Sequence, residues 1–239
     1  MPSFIDSLAK NIFQKATVIY KQQIAPYVYH IRIQDEALKD HHYIPGEHLR
    51  LFVGIDRGTA LNSKLRTYSI WDHSSMQGTV DMAVCVHSSG IGATWAGEVS
   101  VGEAIHYMGP KGKLTIDFNA DSGILISDPS ALSHMYAIRR HIGSGKAAIG
   151  ITYASDVSDH YADIDGSRPF RFIKADSDPL ERIIQELDVL KDKLPGRPAI
   201  YIGGDARVCK SLSQYLRQSW PHATIASKGF WMLGKTGMD

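Results

Sequence analysis

The hydrophobic period changes once along this 239-residue chain, and that change limits the possible folds more than any single motif does. Before about Leu114 the apolar residues alternate. In Thr79 to His87, residues Val80, Met82, Val84 and Val86 fall on one face and Asp81, Ala83, Cys85 and His87 on the other, the period of two expected of a strand packed on one side. Thr17 to Tyr20, Val28 to Ile33, His48 to Val53, Arg66 to Trp71 and Ala104 to Met108 are further short runs, with glycines mostly between them. Short strands at such spacing predict a small antiparallel β-barrel.

After Leu114 the runs Gly123 to Ser127, Ala147 to Tyr153, Phe170 to Lys174 and Ala199 to Gly203 are continuously apolar or β-branched, as in parallel strands covered on both faces. Leu180, Ile183, Ile184, Leu187 and Leu190 recur at helical spacing after Asp178-Pro179, a cap followed by a first-turn proline. Val208, Leu212, Tyr215 and Leu216 do the same after Asp205. Strand alternating with helix predicts a Rossmann-like parallel α/β sheet. The expected organisation is a barrel over residues 1–118 and an α/β domain over residues 119–239.

Composition removes several function classes. With 26 Lys and Arg against 25 Asp and Glu, a net charge of +1 gives no general attraction to nucleic acid or membrane, so any anion site must be local. No run approaches the ~20 apolar residues of a membrane span, and Met1 to Lys15 lacks a signal peptide's apolar core, so the expected location is the cytoplasm. Two distant cysteines, Cys85 and Cys209, fit a reducing compartment. The eleven histidines lack ligand spacing, so no metal site is expected.

Two segments carry candidate chemistry. In Arg66-Thr67-Tyr68-Ser69, residues two apart share a strand face, so Arg66 and Tyr68 project together: a planar guanidinium suited to phosphate beside a flat ring. Taken alone, the four residues read more readily as an ordinary barrel strand with a surface arginine and a half-buried tyrosine. His87 to Ala96 follows the alternating strand and contains Gly90 and Gly92 ahead of Thr94-Trp95. Small residues at a helix start let backbone N–H groups approach a pyrophosphate, although a Gly-x-Gly turn by itself is also a plain tight turn. A flavin needs an anion site, a flat surface and a hydrogen-bonding partner near N5, and the two segments together offer all three.

With these residues in this order, the chain resembles the ferredoxin reductase superfamily, and within it the siderophore-interacting proteins, FAD-dependent ferric-siderophore reductases. Further matches are Pro45 to Leu51, Val86-His87 leading to Gly90, Met108 to Gly112, Ile126 to Leu132, Tyr201 to Ala206 and Lys228 to Lys235, which together span nearly the whole chain. The resemblance implies FAD held by the barrel. Arg66 would contact the phosphates, Thr67 would belong to the same strand contact, Tyr68 would lie against the ring and ribityl chain, and Ser69 near N5, with Tyr68 and Ser69 as the residues nearest the chemistry. The backbone of Val84, Val86 and His87 would run along the ring. Gly90, Gly92, Ala93, Thr94 and Trp95 would surround the pyrophosphate and adenosine. At Ala93 and Thr94 the chain departs from the family pattern of a hydroxyl and a positive residue before the tryptophan.

In the second half the resemblance implies a donor site at Asp128, Ser130, Gly203, Gly204 and Asp205, taking NADH or NADPH, with a reduced ferredoxin as the alternative donor. Asp128-Pro129-Ser130 replaces the family's usual Asp-Glu-Thr. The implied substrate is a ferric siderophore. Because the siderophore already surrounds its iron, basic or aromatic residues suffice to hold it, and Arg50, Lys64, Lys228, Trp231 and Lys235 are the candidates. A general NAD(P)H:flavin or ferredoxin reductase, and a non-catalytic siderophore-binding protein, are the alternative readings.

Overall fold

The computed structural model describes residues 13–53, 64–87, 90–176, 178–191 and 193–234. The chain forms two compact units that divide between Lys113 and Leu114. The sequence pattern predicts the division at 118/119. Each unit has its own sheet.

The first contains β1 (Gln14–Ala25), β2 (Val28–Gln34), β3 (His48–Phe52), β4 (Leu65–Ser69), β5 (Asp72–Ser74), β6 (Thr79–Cys85), the helix α1 (Ile91–Glu98) and β7 (Ala104–Lys111). Its seven strands pair antiparallel in the order β4-β3-β7-β1-β2-β6-β5. The two edge strands, β4 and β5, are consecutive in sequence. Ile70 still donates its N–H to Glu47 beside β3, whereas Trp71 donates to Asp81 on β6, so the chain crosses from one edge of the sheet to the other within two residues. That crossing brings the two ends of the sheet together at Ile70 and Trp71, as in a partly open barrel.

The alternation read from the sequence decides what fills this barrel. Val18, Ile31, Ile33, Leu49, Leu51, Val80, Met82, Val84 and Ile105 are all buried in one core. Each buried aliphatic side chain is worth about 1.5–3 kcal/mol of transfer free energy, so a one-residue slip of any strand would turn that contribution outward.

The second unit is a parallel sheet of β8 (Ser122–Ser127), β9 (Ala147–Ala154), β10 (Phe170–Lys174), β11 (Pro198–Asp205) and β12 (Thr224–Trp231), in the order β10-β9-β8-β11-β12. The helices are α2 (Leu132–His141), α3 (Leu180–Leu190) and α4 (Ala206–Ser219). Ile124, Ile126, Ile151, Ile200 and Ile202 pack against Ile183 and Leu187 of α3 and Leu212 and Leu216 of α4. Asp205 caps α4 by accepting from Arg207 N at 2.9 Å, and Asp178 accepts from Leu180 N at 2.9 Å at the start of α3. Both are the residues expected to do so.

The sequence reading did not identify α2, and the reason is physical. Leu132 through Ile138 are buried all round the helix, polar residues included, so no amphipathic stripe exists to be read. Ser133 donates its N–H to the Tyr161 hydroxyl at 3.0 Å, and His134 Nε2 is 2.8 Å from the Leu114 carbonyl oxygen, which satisfies the polar groups that burial would otherwise strand.

Strand order reverses between β8 and β11, which are neighbours although β9 and β10 lie between them in sequence. In open parallel sheets this switch point is where the strand ends splay and ligands bind.

Candidate functional site

Within the barrel unit the two chemistry-bearing segments meet. Cross-strand pairing sets Arg66 opposite Leu51 and Tyr68 opposite Leu49, and Thr67 opposite Arg50 on the other face. Tyr68 and Trp95 of α1 both pack against the barrel core, with ring centroids 6.0 Å apart. Gly92, the second residue of α1, is the contact point. A Cβ there would overlap the Tyr68 hydroxyl and stand 3.2 Å from Arg66 Cγ. Only glycine lets the first turn of the helix lie against the Arg66 and Tyr68 side chains.

That first turn is suited to an anion. Gly90 occupies the N-cap position and makes no side-chain cap, and among the described residues the first turn of α1 holds no acidic group. The Thr94 hydroxyl donates backward to the Gly90 carbonyl at 3.3 Å, and Ala93 has none. From α1 itself a phosphate at this turn would therefore meet backbone N–H groups rather than the Thr94 hydroxyl. At its other end α1 is tied down by Lys21, whose ammonium donates to the carbonyls of Gly97 at 2.7 Å and Val99 at 2.9 Å.

Burial raises the Tyr68 pKa well above its ordinary value, against the lowering influence of Arg66, with Cys85 adding to the rise. The phenol is therefore neutral, an apolar surface with one polar tip. Arg66 is half-buried and one of its terminal nitrogens donates to the Leu65 carbonyl at 2.6 Å, which fixes its stem along β4. A fixed guanidinium, an uncapped helix start and a neutral ring within one contact cluster are what a flavin's pyrophosphate and ring require, so the residues fit that group.

The remaining barrel candidates take defined places. Ser69 ends β4 opposite His48, on the face away from Tyr68. Val84 is fully buried in the core, so only its backbone is available to a ligand. Val86 N–H donates to the Tyr27 carbonyl at 2.8 Å, and the exposed His87 ring lies 4.6 Å from that of Tyr27. Lys64 is 1% exposed, with its ammonium 5.9 Å from the Phe52 ring centroid. Arg50 is half-buried on β3.

In the second unit Asp128, Ser130, Gly203, Gly204 and Asp205 gather at the carboxyl ends of β8 and β11. Asp128 is 5% exposed. Its Oδ1 accepts from Ser130 N at 2.9 Å and Ser130 Oγ at 2.5 Å, and its Oδ2 accepts from Asp205 N at 2.8 Å and the Trp231 indole N–H at 2.7 Å. Burial raises its pKa, against the pull of these donors. Gly204 has φ +124 and no room for a Cβ, which would overlap the Asp128 carboxylate. The absent side chain of Gly203 likewise makes way for α2, since a Cβ would sit 2.8 Å from that of Ala131.

Trp231 is 41% exposed and Lys228 half-buried over Phe230; Lys235 lies outside the described residues. The role of Trp231 as a partner of Asp128 had no signal in the sequence, because 103 residues separate the two. Among the described residues no cluster of metal-ligating side chains exists, and no helix is long and apolar enough to cross a membrane.

Residues 57–114 match the family model described as the siderophore-interacting FAD-binding domain. That span contains β4, β6, α1 and β7, and so the whole Arg66, Tyr68 and Gly92 cluster. No curated protein matches the chain in sequence. Among solved structures, a siderophore utilization protein from T. fusca aligns at TM-score 0.74 and 16% identity, over 95% of this chain and 95% of that one. The siderophore-interacting protein SipS from Aeromonas hydrophila aligns at 0.73 and 18%, over 93% and 92%. Phthalate dioxygenase reductase, described as a modular structure for electron transfer from pyridine nucleotides to [2Fe-2S], aligns at 0.72 and 17%, over 95% of this chain and 70% of its own. The fold is thus ferredoxin reductase-like, a barrel followed by a parallel α/β unit.

Proposed function

We propose that this chain, whose barrel carries the siderophore-interacting FAD-binding signature, is an FAD-dependent oxidoreductase that reduces ferric siderophores and releases Fe(II). The observation carrying the proposal is the packing of Gly92 beneath Arg66 and Tyr68 at the start of α1, inside the segment that matches the family model. Bound FAD would supply the redox chemistry, taking two electrons from a donor and giving them singly to ferric iron.

The chain's own residues do the rest. Arg66 and the first-turn N–H groups of α1 bind the pyrophosphate. The neutral ring of Tyr68, braced by Trp95, supports the flavin's flat face, and Ser69 supplies a hydroxyl at the end of β4. Arg50 and Lys228 are half-buried cations suited to an anionic iron complex, each on its own unit. The protein needs no iron ligands because the siderophore retains its own; Fe(II), a weaker match for hard oxygen donors, then leaves. Two thiols outside any disulfide suit a cytoplasmic location.

The test begins with pigment. Purified protein should be yellow or take up FAD stoichiometrically, and a colourless protein that cannot be reconstituted removes the enzyme reading. Anaerobically reduced protein should then reoxidise with ferric siderophores, with Fe(II) trapped by a ferrous-specific chelator. Equal rates with simple ferric chelates would instead indicate a general reductase.

A further inference from the structure

The fold's usual place for a pyridine nucleotide is the carboxyl edge of the parallel sheet, where helix N-termini offer N–H groups to a pyrophosphate. In this chain several amides at the entries to α2 and α4 already have protein acceptors. At the entry to α2, Ser130 N donates to Asp128 Oδ1, Ala131 N to the Asp128 carbonyl at 3.2 Å, and Ser133 N to the Tyr161 hydroxyl. At the entry to α4, Asp205 N donates to Asp128 Oδ2 and Arg207 N to Asp205 Oδ1. The Arg207 guanidinium is itself spent on Asp205, at 2.5 Å.

We infer that the Asp128 carboxyl occupies the phosphate position of the switch point as a built-in hydrogen-bond acceptor, so that no pyridine nucleotide seats its pyrophosphate at this edge. A dinucleotide entering there would have to displace a carboxylate held by four donors and would bring its two phosphate charges against Asp128 and Asp205. Displacing that carboxyl would leave Asp205 N, Ser130 N and the Trp231 indole N–H without their acceptor in a buried site. The glycine at 204 also serves this arrangement: its missing Cβ leaves space for the Asp128 carboxylate, where a nucleotide-binding turn would leave space for ligand. The edge is therefore a closed joint that fastens β8, α4 and β12 together through one side chain. A bound flavin would then take its electrons from a donor that does not dock phosphates here, such as a reduced ferredoxin-type protein.

The inference rests on the flavin reading for its functional meaning, but its test does not. Full-length protein is titrated calorimetrically with NADH, NADPH and inorganic pyrophosphate, with or without flavin. The expected result is no saturable binding up to about 1 mM, a limit of about −4 kcal/mol. Asp128→Ser, with its native melting transition verified, should gain pyrophosphate affinity at least tenfold, because Asp205 N and Ser130 N lose their acceptor. Nucleotide binding that Arg207→Ala and Ser130→Ala leave unchanged lies elsewhere and is consistent with the inference. Wild-type binding tighter than about 0.1 mM that either substitution weakens tenfold puts the nucleotide at the edge and overturns it. Failure of FAD uptake, by contrast, would sink the flavin proposal and leave this result standing.

Discussion

The hydroxyl of Tyr68 and the α-carbon of Gly92 are packed so closely that no Cβ fits between them, although one lies on β4 and the other on α1. This contact brings Arg66 and the start of the helix into one site. Gly92→Ala should push Tyr68 and the Arg66 stem aside, at an overpacking cost of about 1–3 kcal/mol. The expected outcome is a folded protein with flavin affinity reduced about tenfold or more. The ratio of flavin to protein absorbance after purification, together with a thermal melt, checks it. Wild-type flavin content would mean that this contact does not organise the site.

Arg66→Ala removes the guanidinium but leaves the strand, whose pairing is through its backbone. Losing a charged hydrogen bond to phosphate costs about 1.5–3 kcal/mol, so FAD should bind roughly ten- to a hundredfold more weakly. Arg66→Lys should recover part of this, because a lysine keeps the charge and loses the planar fork. Fluorescence titration of apoprotein with FAD ranks the three. Unchanged affinity in Arg66→Ala would disprove the phosphate assignment.

The two thiols should react very differently. Burial pushes Cys209 up to about 12, with Asp128 and Asp205 adding to the rise, and it is 4% exposed. Cys85 is half-buried at the end of β6, close enough to Tyr68 to influence its ionisation. A disulfide-exchange reagent at pH 8 should therefore label one thiol quickly and the second only on unfolding. Saturating FAD should slow the fast reaction. Two fast thiols in native protein would contradict the burial of Cys209.

Asp205 links stability to pH. Burial pushes its pKa up, but the side-chain and backbone bonds from Arg207 outweigh that and hold it below the ordinary value. A carboxyl whose folded pKa is depressed contributes stability above the unfolded value of about 3.9 and loses that contribution as pH falls through the folded value. Asp205→Ala should lose about 1 kcal/mol at pH 7 through the missing helix cap, and Asp205→Asn less, since an asparagine still caps. Both should converge on wild type as pH falls below about 4. Urea melts at pH 7, 5 and 3 measure this; a difference that grows toward acid would reverse the assigned sign.

How much of this was legible in the sequence follows from the range of each interaction. Alternation in the first half and the continuous runs after Leu114 identified an antiparallel sheet followed by a parallel α/β unit, although β6 is buried on both faces, Asp81 and Ala83 included, rather than on the one its alternation predicts. The shared face of Arg66 and Tyr68, and the caps at Asp178 and Asp205, are local in the same sense. Helix α2 escaped because it is buried on every side, and the burial of Lys64 was not legible because a lysine's exposure depends on what packs over it.

The sequence by itself determined which residues face inward and where helices begin, since those follow from periods of two and 3.6 and from side chains that bond their own backbone. Only the tertiary structure decided which groups meet: Gly92 with Tyr68, Asp128 with Asp205 and Trp231, and Lys21 with the end of α1. Those contacts join residues 24 to 103 positions apart, and a hydrogen-bond donor's partner at such separations is selected by the packing of whole elements rather than by anything its neighbours in the chain record.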